Sequence, residues 1–208
     1  MPPTLLLGAI AVGSYLIGAI PFGYLIARAR GVNIVEHGSG NIGATNVGRV
    51  LGRRFGILAF LLDFTKGAVP VLIASGLAVR MESSAPLDAF GVTAGLTAFL
   101  GHLFPIYLRF RGGKGVATGA GVVAVLVPWP ALAGLLTWII LVALTRFVSL
   151  GSLCAVLVLC LVQVGLELLG AREARPILTV FCFVAATLVF VRHRANLSRL
   201  VKGTENRI

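Results

Sequence analysis

Three polar segments interrupt an otherwise apolar chain, and each carries residues able to hold an anion. The first is GSGNIGATNVGR, Gly38 to Arg49. Its glycines leave the backbone bare for close approach. Ser39, Asn41, Thr45 and Asn46 supply short polar side chains, and Arg49 can grip phosphate oxygens through two parallel bonds. The second is GHLFPIYLRFRGGKGVATGAG, Gly101 to Gly121. Here Gly112, Gly113, Lys114 and Gly115 run directly into an apolar stretch. Successive N–H groups of a glycine run can point into one concavity, and a helix N-terminus adds unpaired donors and a positive dipole end. With the charge of Lys114, a phosphate cradle is physically reasonable. The glycine spacing departs from a Walker loop, and no Ser or Thr follows the lysine. A basic stop signal with flexible glycines is the competing explanation. The third is RHRANLSRLVKGTENRI, Arg192 to Ile208. His193 and Asn196 would share one face of a helix continuing from the apolar segment before it. Attraction to anionic lipid accounts for Arg194, Lys202 and Arg207. Glu205 either holds basic groups in place or belongs to a solvated tail.

Two further charges, Asp63 and Lys66 in LLDFTKG, fall inside an apolar run, one helical turn apart. Charges at membrane depth are costly and are usually paired or functional. An ion pair explains both, and Lys66 is also placed to meet an anionic substrate. Glu167 is expected to be an interfacial charge. Other chemistries lack their residues. Asp63 and Asp88 are the only aspartates, so the oxygen ligands of a two-metal site are missing. No His/Cys set has zinc spacing. Five positions after the histidines stand Ile42, Tyr107 and Ser198, which excludes a His-x-x-x-x-Asp acyltransferase pattern. There is no Gly-x-Ser-x-Gly elbow.

The elements that must position these groups are membrane helices. Mean hydropathy is +0.99, with 58% apolar and 12% charged residues, too little charge for a soluble domain. Strand-period alternation is absent, which argues against a barrel. Seven apolar segments, about 4–27, 55–79, 88–108, 115–128, 130–145, 149–169 and 176–192, predict an all-α polytopic protein with one integral domain over residues 1–208. The fourth segment is short, so it would be tilted or partial. Pro128 and Pro130 mark the break after it, and Pro86, Pro105 and Pro176 stand near other ends. GVTAG and GVATG (Gly91/Gly95 and Gly115/Gly119) suit close helix packing. Cys154, Cys160 and Cys182 all lie in apolar runs and suit small buried side chains.

Seven spans put the termini on opposite sides. One side then collects Arg28, Arg30, Arg49, Arg53, Arg54, Arg109, Arg111, Lys114, Arg146, Arg192, Arg194, Arg199, Lys202 and Arg207. The other has Arg80, Arg172 and Arg175. The rich side should be cytoplasmic, with the N-terminus outside. All three polar segments fall on that cytoplasmic face. The same asymmetry explains the net charge of +11 without nucleic acid, for which no binding module fits between the spans. The first apolar run has no positive residue ahead of it, so it is expected to be a retained span and not a cleaved signal.

GSGNIGATNVGR, GHLFPIYLRFRGGKGVATGAG and HRANLSRLVKGTEN closely resemble the three motifs of the bacterial acyl-phosphate:glycerol-3-phosphate acyltransferases, the PlsY family. The resemblance extends over nearly the full chain. It implies a seven-span protein of the bacterial inner membrane with a cytoplasm-facing site. It implies acyl transfer from acyl phosphate to the 1-position of glycerol 3-phosphate, giving lysophosphatidic acid and phosphate. No cofactor or metal is expected, and the partners are the two substrates and membrane lipid, with the protein acting as a monomer. Residue by residue, Ser39, Lys114, His193 and Asn196 match positions expected to be catalytic. Asn41, Thr45, Asn46, Arg49, Lys66, His102, Gly112, Gly113, Gly115 and Glu205 are expected to bind substrate or its phosphates. RFVSLGSL matches a shorter Ser-rich patch and adds Ser149 and Ser152. Ile42 stands where many members carry Pro and Val148 where Ser is common, neither being a group the chemistry requires. The alternative class, a transporter of a phosphorylated metabolite, would use the same anion nests. Against it stand the lack of an internal repeat and the confinement of polar segments to one face.

Overall fold

The computed structural model describes residues 2–81, 86–171 and 173–208; Arg172, one of the charges assigned to the sparser side, lies outside them. The described residues form helices and connecting loops, without strand. The first of two compact units runs through Leu126 and the second starts at Val127.

In the first unit, α1 (Pro3–Ala19) begins with proline at its first position, where the missing N–H costs nothing. It stops before Pro21, and α2 (Phe22–Ala29) follows after a short break at Ile20–Pro21. The first span expected over 4–27 is one apolar segment, Pro3–Ala29, broken at Ile20–Pro21 into two helices. A turn at Ile34–Glu36 and a glycine-rich loop lead to α3 (Ala44–Leu51). Then comes α4 (Arg53–Arg80), whose 28 residues span roughly 42 Å at 1.5 Å per residue. Pro70 lies inside it without interrupting it. Next, α5 (Leu87–Leu103) starts after Pro86 and ends just before Pro105, and α6 (Val116–Leu126) closes the unit.

Small residues set the packing here. A methyl on Gly18 would strike the Ala98 backbone, and one on Gly101 would strike the Tyr15 and Ala19 backbone, so α1 and α5 meet closely. Gly67 and Gly121 do the same for α4 and α6, against the backbones of Thr118 and Phe64. Gly95 packs on Val122 and Val71, and Gly119 on Phe99, as the small-residue patterns predict. Phe90, Phe99, Val71 and Leu103 fill the interior, and a second cluster of Ala27, Ile34, Ile42, Val47 and Ala59 anchors the loop before α3.

In the second unit, α7 (Pro128–Thr145), α8 (Val148–Leu168) and α9 (Pro176–Arg192) pack in sequence, with proline opening α7 and α9. Gly134 fits against Ala155, and Gly151 against Trp138 and Val142. A short α10 (Arg194–Val201) leaves α9 at 60°. Hydroxyls within the apolar helices are satisfied locally: Thr137, Thr145, Ser152 and Thr187 each donate to the carbonyl four residues back. In hydrocarbon an unpaired hydroxyl would cost several kcal/mol, roughly 2–7 by transfer.

Large apolar side chains such as Leu61, Leu72, Leu136 and Leu161 are exposed along the helix flanks, as a lipid-facing surface requires. Five helical segments are long and apolar enough to cross a membrane, or six when the bent α9–α10 pair counts as one. The remaining apolar helix, α6, has 11 residues and reaches only about 16 Å. Cys160 and Cys182 are buried and Cys154 half-buried, all as free thiols.

Candidate active site

The loop before α3 is organised by one side chain. Asn46, buried at the start of α3, donates through Nδ2 to the carbonyls of His37 (3.0 Å) and Asn41 (2.9 Å). Its Oδ1 accepts the N–H of Ser39 at 2.8 Å. Asn41 Oδ1 accepts the N–H of Gly43 at 2.9 Å. Both asparagines are thus engaged with the loop backbone. Gly38 takes a positive φ of 60°, and a methyl there would strike Asn46 Oδ1, so this turn needs glycine. Ser39, Thr45 and Arg49 are exposed, the last two four residues apart on α3. The loop sits on α2, since a methyl on Gly23 would meet the Ile42 carbonyl and Val47.

Beneath lies a buried charged cluster. Lys66 Nζ and Asp63 Oδ1 are 2.8 Å apart, with both side chains 2% exposed. The expected ion pair is present. Lys66 also donates to the Ile20 carbonyl at 2.6 Å and sits 5.6 Å from the centre of the Phe22 ring. The proline break makes that carbonyl available: Pro21 ends the helix, and the Ile20 carbonyl, bonded to the Phe22 N–H at 3.1 Å, keeps a second lone pair for the lysine. His102, on α5, places Nδ1 at 3.7 Å from Asp63 Oδ1.

His102 in turn carries the second glycine loop. Its carbonyl accepts the N–H of Gly113 at 3.2 Å. Gly113 abuts the Nε2 edge of the imidazole, and a methyl there would strike that nitrogen. A methyl on Gly112 would strike the carbonyls of His102 and Leu103. Gly115, at φ 83°, has no room for one beside Phe99 and Leu103. The segment is irregular from Arg111 to Gly115 and enters α6 at Val116, with Lys114 half-buried at its edge. Just upstream, Arg109 and Phe110 both take left-handed conformations, φ 51° and 63°. Such residues cost about 1 kcal/mol or more each and gather at functional sites. No residue type announces them.

The second unit has its own polar group. Glu205 Oε1 accepts Ser149 Oγ at 2.9 Å and Asn196 Nδ2 at 2.6 Å, and Oε2 accepts Arg199 Nε at 2.8 Å. Burial raises its carboxyl pKa, but the bonds from Asn196, Arg199 and Ser149 and the Arg199 charge outweigh this and hold it below the usual range. Glu205 therefore does hold a basic group in place. The tail continues to a bond from Ile208 N–H to the Arg146 carbonyl at 3.0 Å, with Arg207 over the Phe147 ring at 5.1 Å. Ser152 instead donates to Val148 within α8, at 2.8 Å.

His193 corrects one expectation. The helix does not continue through it: α9 ends at Arg192 and the chain bends by 60° into α10. His193 and Asn196 are still both buried, although they do not share one straight helix. His193 Nδ1 lies 2.8 Å from the Val189 carbonyl. A carbonyl can only accept, so Nδ1 carries the proton and a neutral ring keeps Nε2 as acceptor. Glu167, expected as an interfacial charge, accepts bonds from Gln163, Thr179 and the Arg175 N–H where α8 meets α9.

Each group is thus assembled within its own unit. In the first are Ser39 with Asn41 and Asn46, and Lys66 and His102 with Gly112–Gly115. In the second are Ser149, Asn196 and Glu205, with His193 at the bend. Asp63 is the member whose link to His102 the residue pattern did not disclose. Among the described residues, no three His, Cys, Asp or Glu side chains gather as a metal site would need.

Residues 8–203 match the family model described as glycerol-3-phosphate acyltransferase. A glycerol-3-phosphate acyltransferase of Geobacter sulfurreducens is 47% identical over 98% of this chain and 96% of its own. One from Anaeromyxobacter dehalogenans is 44% identical over the whole of both chains. The crystal structure of PlsY (YgiH), an integral membrane glycerol 3-phosphate acyltransferase, in its glycerol 3-phosphate form superposes with a TM-score of 0.84. It is 38% identical and covers 97% of this chain and 95% of that one. The lysophosphatidic acid form of the same enzyme superposes with a TM-score of 0.82.

Proposed function

The chain belongs to the glycerol-3-phosphate acyltransferase family, and from that premise we propose that its acyl donor is an acyl phosphate. The acyl group goes to the 1-position of glycerol 3-phosphate, giving lysophosphatidic acid and inorganic phosphate at the first committed step of phospholipid synthesis. The observation that carries this reading is the Gly112–Gly115 loop: bare backbone, a lysine and a helix N-terminus, seated on a buried histidine. The glycerol 3-phosphate and lysophosphatidic acid forms of the solved relative support the acceptor and the product.

The reaction brings two phosphates and a developing oxyanion to one place. Lys114 and Arg49 supply the positive field, the glycines of the Gly112–Gly115 and Gly38–Gly43 loops allow close approach, and Ser39 and Thr45 supply hydroxyls. Asn41, Asn46 and Ser152 act by holding backbone, since that is where their polar atoms are engaged. An acyl phosphate is a mixed anhydride with a good leaving group, so positioning and charge stabilisation suffice. The 1-hydroxyl attacks the acyl carbon directly, the C–O bond to phosphate breaks, and the hydroxyl proton passes to a substrate phosphate oxygen. His193 Nε2 is the side-chain alternative acceptor, with Asn196 beside it in the motif and fixed by Glu205, to which Ser149 also donates.

We place the chain in the bacterial inner membrane as a single monomeric domain of seven spans, with α6 as a partial span and the site and C-terminus on the cytoplasmic side. The distribution of Arg and Lys supports that orientation. The acyl chain stays between helices, in contact with lipid.

Purified protein mixed with palmitoyl phosphate and glycerol 3-phosphate should yield lysophosphatidic acid and phosphate, and palmitoyl-CoA should not replace the donor. Equal use of the CoA ester would refute the donor assignment. Lys114→Ala should lower kcat/KM by about 100-fold or more while the protein stays folded. A trapped covalent acyl-enzyme would rule out direct transfer.

A further inference from the structure

Asp63 and Lys66 lie about half-way along a helix that passes through apolar surroundings, and both are almost wholly buried. As a stabilising device the pair is poor. The desolvation cost of two buried ions roughly cancels their attraction, and apolar residues of similar size often serve as well. Charges kept at such depth call for another role.

Their connections point to one. Lys66 is fixed from two directions, by the Ile20 carbonyl at 2.6 Å and by the Phe22 ring at 5.6 Å. It fixes Asp63 at 2.8 Å, and Asp63 faces the Nδ1 edge of His102 at 3.7 Å. The opposite edge of that imidazole, Nε2, is where Gly113 lies so closely that a methyl would collide. The His102 carbonyl meanwhile holds the Gly113 N–H at 3.2 Å. A turn of the ring about its side-chain bonds would therefore push directly on the loop backbone. The cluster ties together the α1–α2 break, α4, α5 and the loop, four segments distant in sequence.

We propose that Asp63 is a positioning residue for the reaction: with Lys66 behind it, its carboxylate locks the His102 ring as the floor of the Gly112–Gly115 loop and so sets that loop's grip on a substrate phosphate. It touches no substrate. The proposal rests on that loop's being a phosphate cradle, which the experiment tests in parallel.

The experiment compares steady-state kinetics of Asp63→Asn, His102→Gln, their double variant and Lys114→Ala, varying palmitoyl phosphate and glycerol 3-phosphate separately. Asp63→Asn should raise KM for one phosphate substrate by about ten-fold or more, with kcat within about three-fold, because binding is loosened without loss of a reacting group. The double variant should be no worse than His102→Gln alone, since one residue acts through the other. Independent, additive losses, or a fall in kcat alone, would overturn the proposal. Asp63→Asn strands the Lys66 charge, so Asp63→Asn with Lys66→Met provides a version with no orphan ion. Thermal melting in detergent establishes that each variant is folded. If both Asp63 variants fail to fold, the cluster is a folding element and the proposal falls. If Lys114→Ala leaves both KM values and kcat unchanged, the cradle reading falls and this proposal with it. If Lys114→Ala is impaired while Asp63→Asn is not, only this proposal falls.

Discussion

The two units solve the same problem, holding polar groups beside lipid, in different ways. In the first, charge is sunk among helices, with Asp63 and Lys66 each 2% exposed, and the loop above presents backbone. In the second, the organising group is one carboxylate near the chain's end, Glu205, bonded to side chains from α8 and α10. Its partner Arg199 is 37% exposed. The first site is therefore sensitive to shape, because any added atom under the loop has nowhere to go. The second is sensitive to protonation and salt, because its hub is a titratable carboxylate paired with a partly exposed guanidinium.

Substitutions can break that contrast. The largest effect is expected for Gly113→Ala, whose methyl meets His102 Nε2. A displacement near 1 Å should lower kcat/KM by about 100-fold, while overpacking of about 1–3 kcal/mol lowers the melting temperature by several degrees. Wild-type kinetics in that variant would show that the loop is not tightly seated. Glu205→Gln comes next, with a loss of about 1–3 kcal/mol from the second unit and a smaller fall in activity. The pH dependence has a fixed sign. The Glu205 carboxyl pKa is lowered on folding, so its contribution is complete above the unfolded value and disappears as pH falls through the folded one. Wild-type melting temperature should fall across the acidic carboxylate range, and Glu205→Gln should lack that share of the slope. Identical slopes would detach Glu205 from the docking of the tail. The smallest effect is expected for Arg207→Ala, which removes a ring contact worth about 0.5–1 kcal/mol and should leave turnover within about two-fold. A larger loss of turnover would show the tail to be part of the chemistry.

Much of the helical layout was legible because hydropathy runs and prolines mark ends: Pro86, Pro128 and Pro176 each stand at a helix start. Proline type alone was not decisive. Pro70 continues inside α4 while Pro21 interrupts the first span. The 60° bend at His193 had no proline or glycine to announce it. In the site, the spacing of Asp63 and Lys66 was enough to anticipate their pairing, because one turn of helix brings them together. The arrival of His102 from α5 was not, because packing between helices decides it. Asn41 and Asn46 were expected to bind substrate, and residue type gave no sign of the bonds each makes to the loop backbone.

The bond from Lys66 to Ile20 has a consequence for how such proteins diverge. The acceptor is a main-chain oxygen, which every amino acid carries. Position 20 is thus at liberty to drift among apolar residues while the contact persists unseen in any comparison of side chains. What the contact depends on is the neighbour, Pro21, whose ring holds Ile20 in an extended conformation and that oxygen out of the helix. A position of no chemical interest can mark the place where a buried cation is tethered.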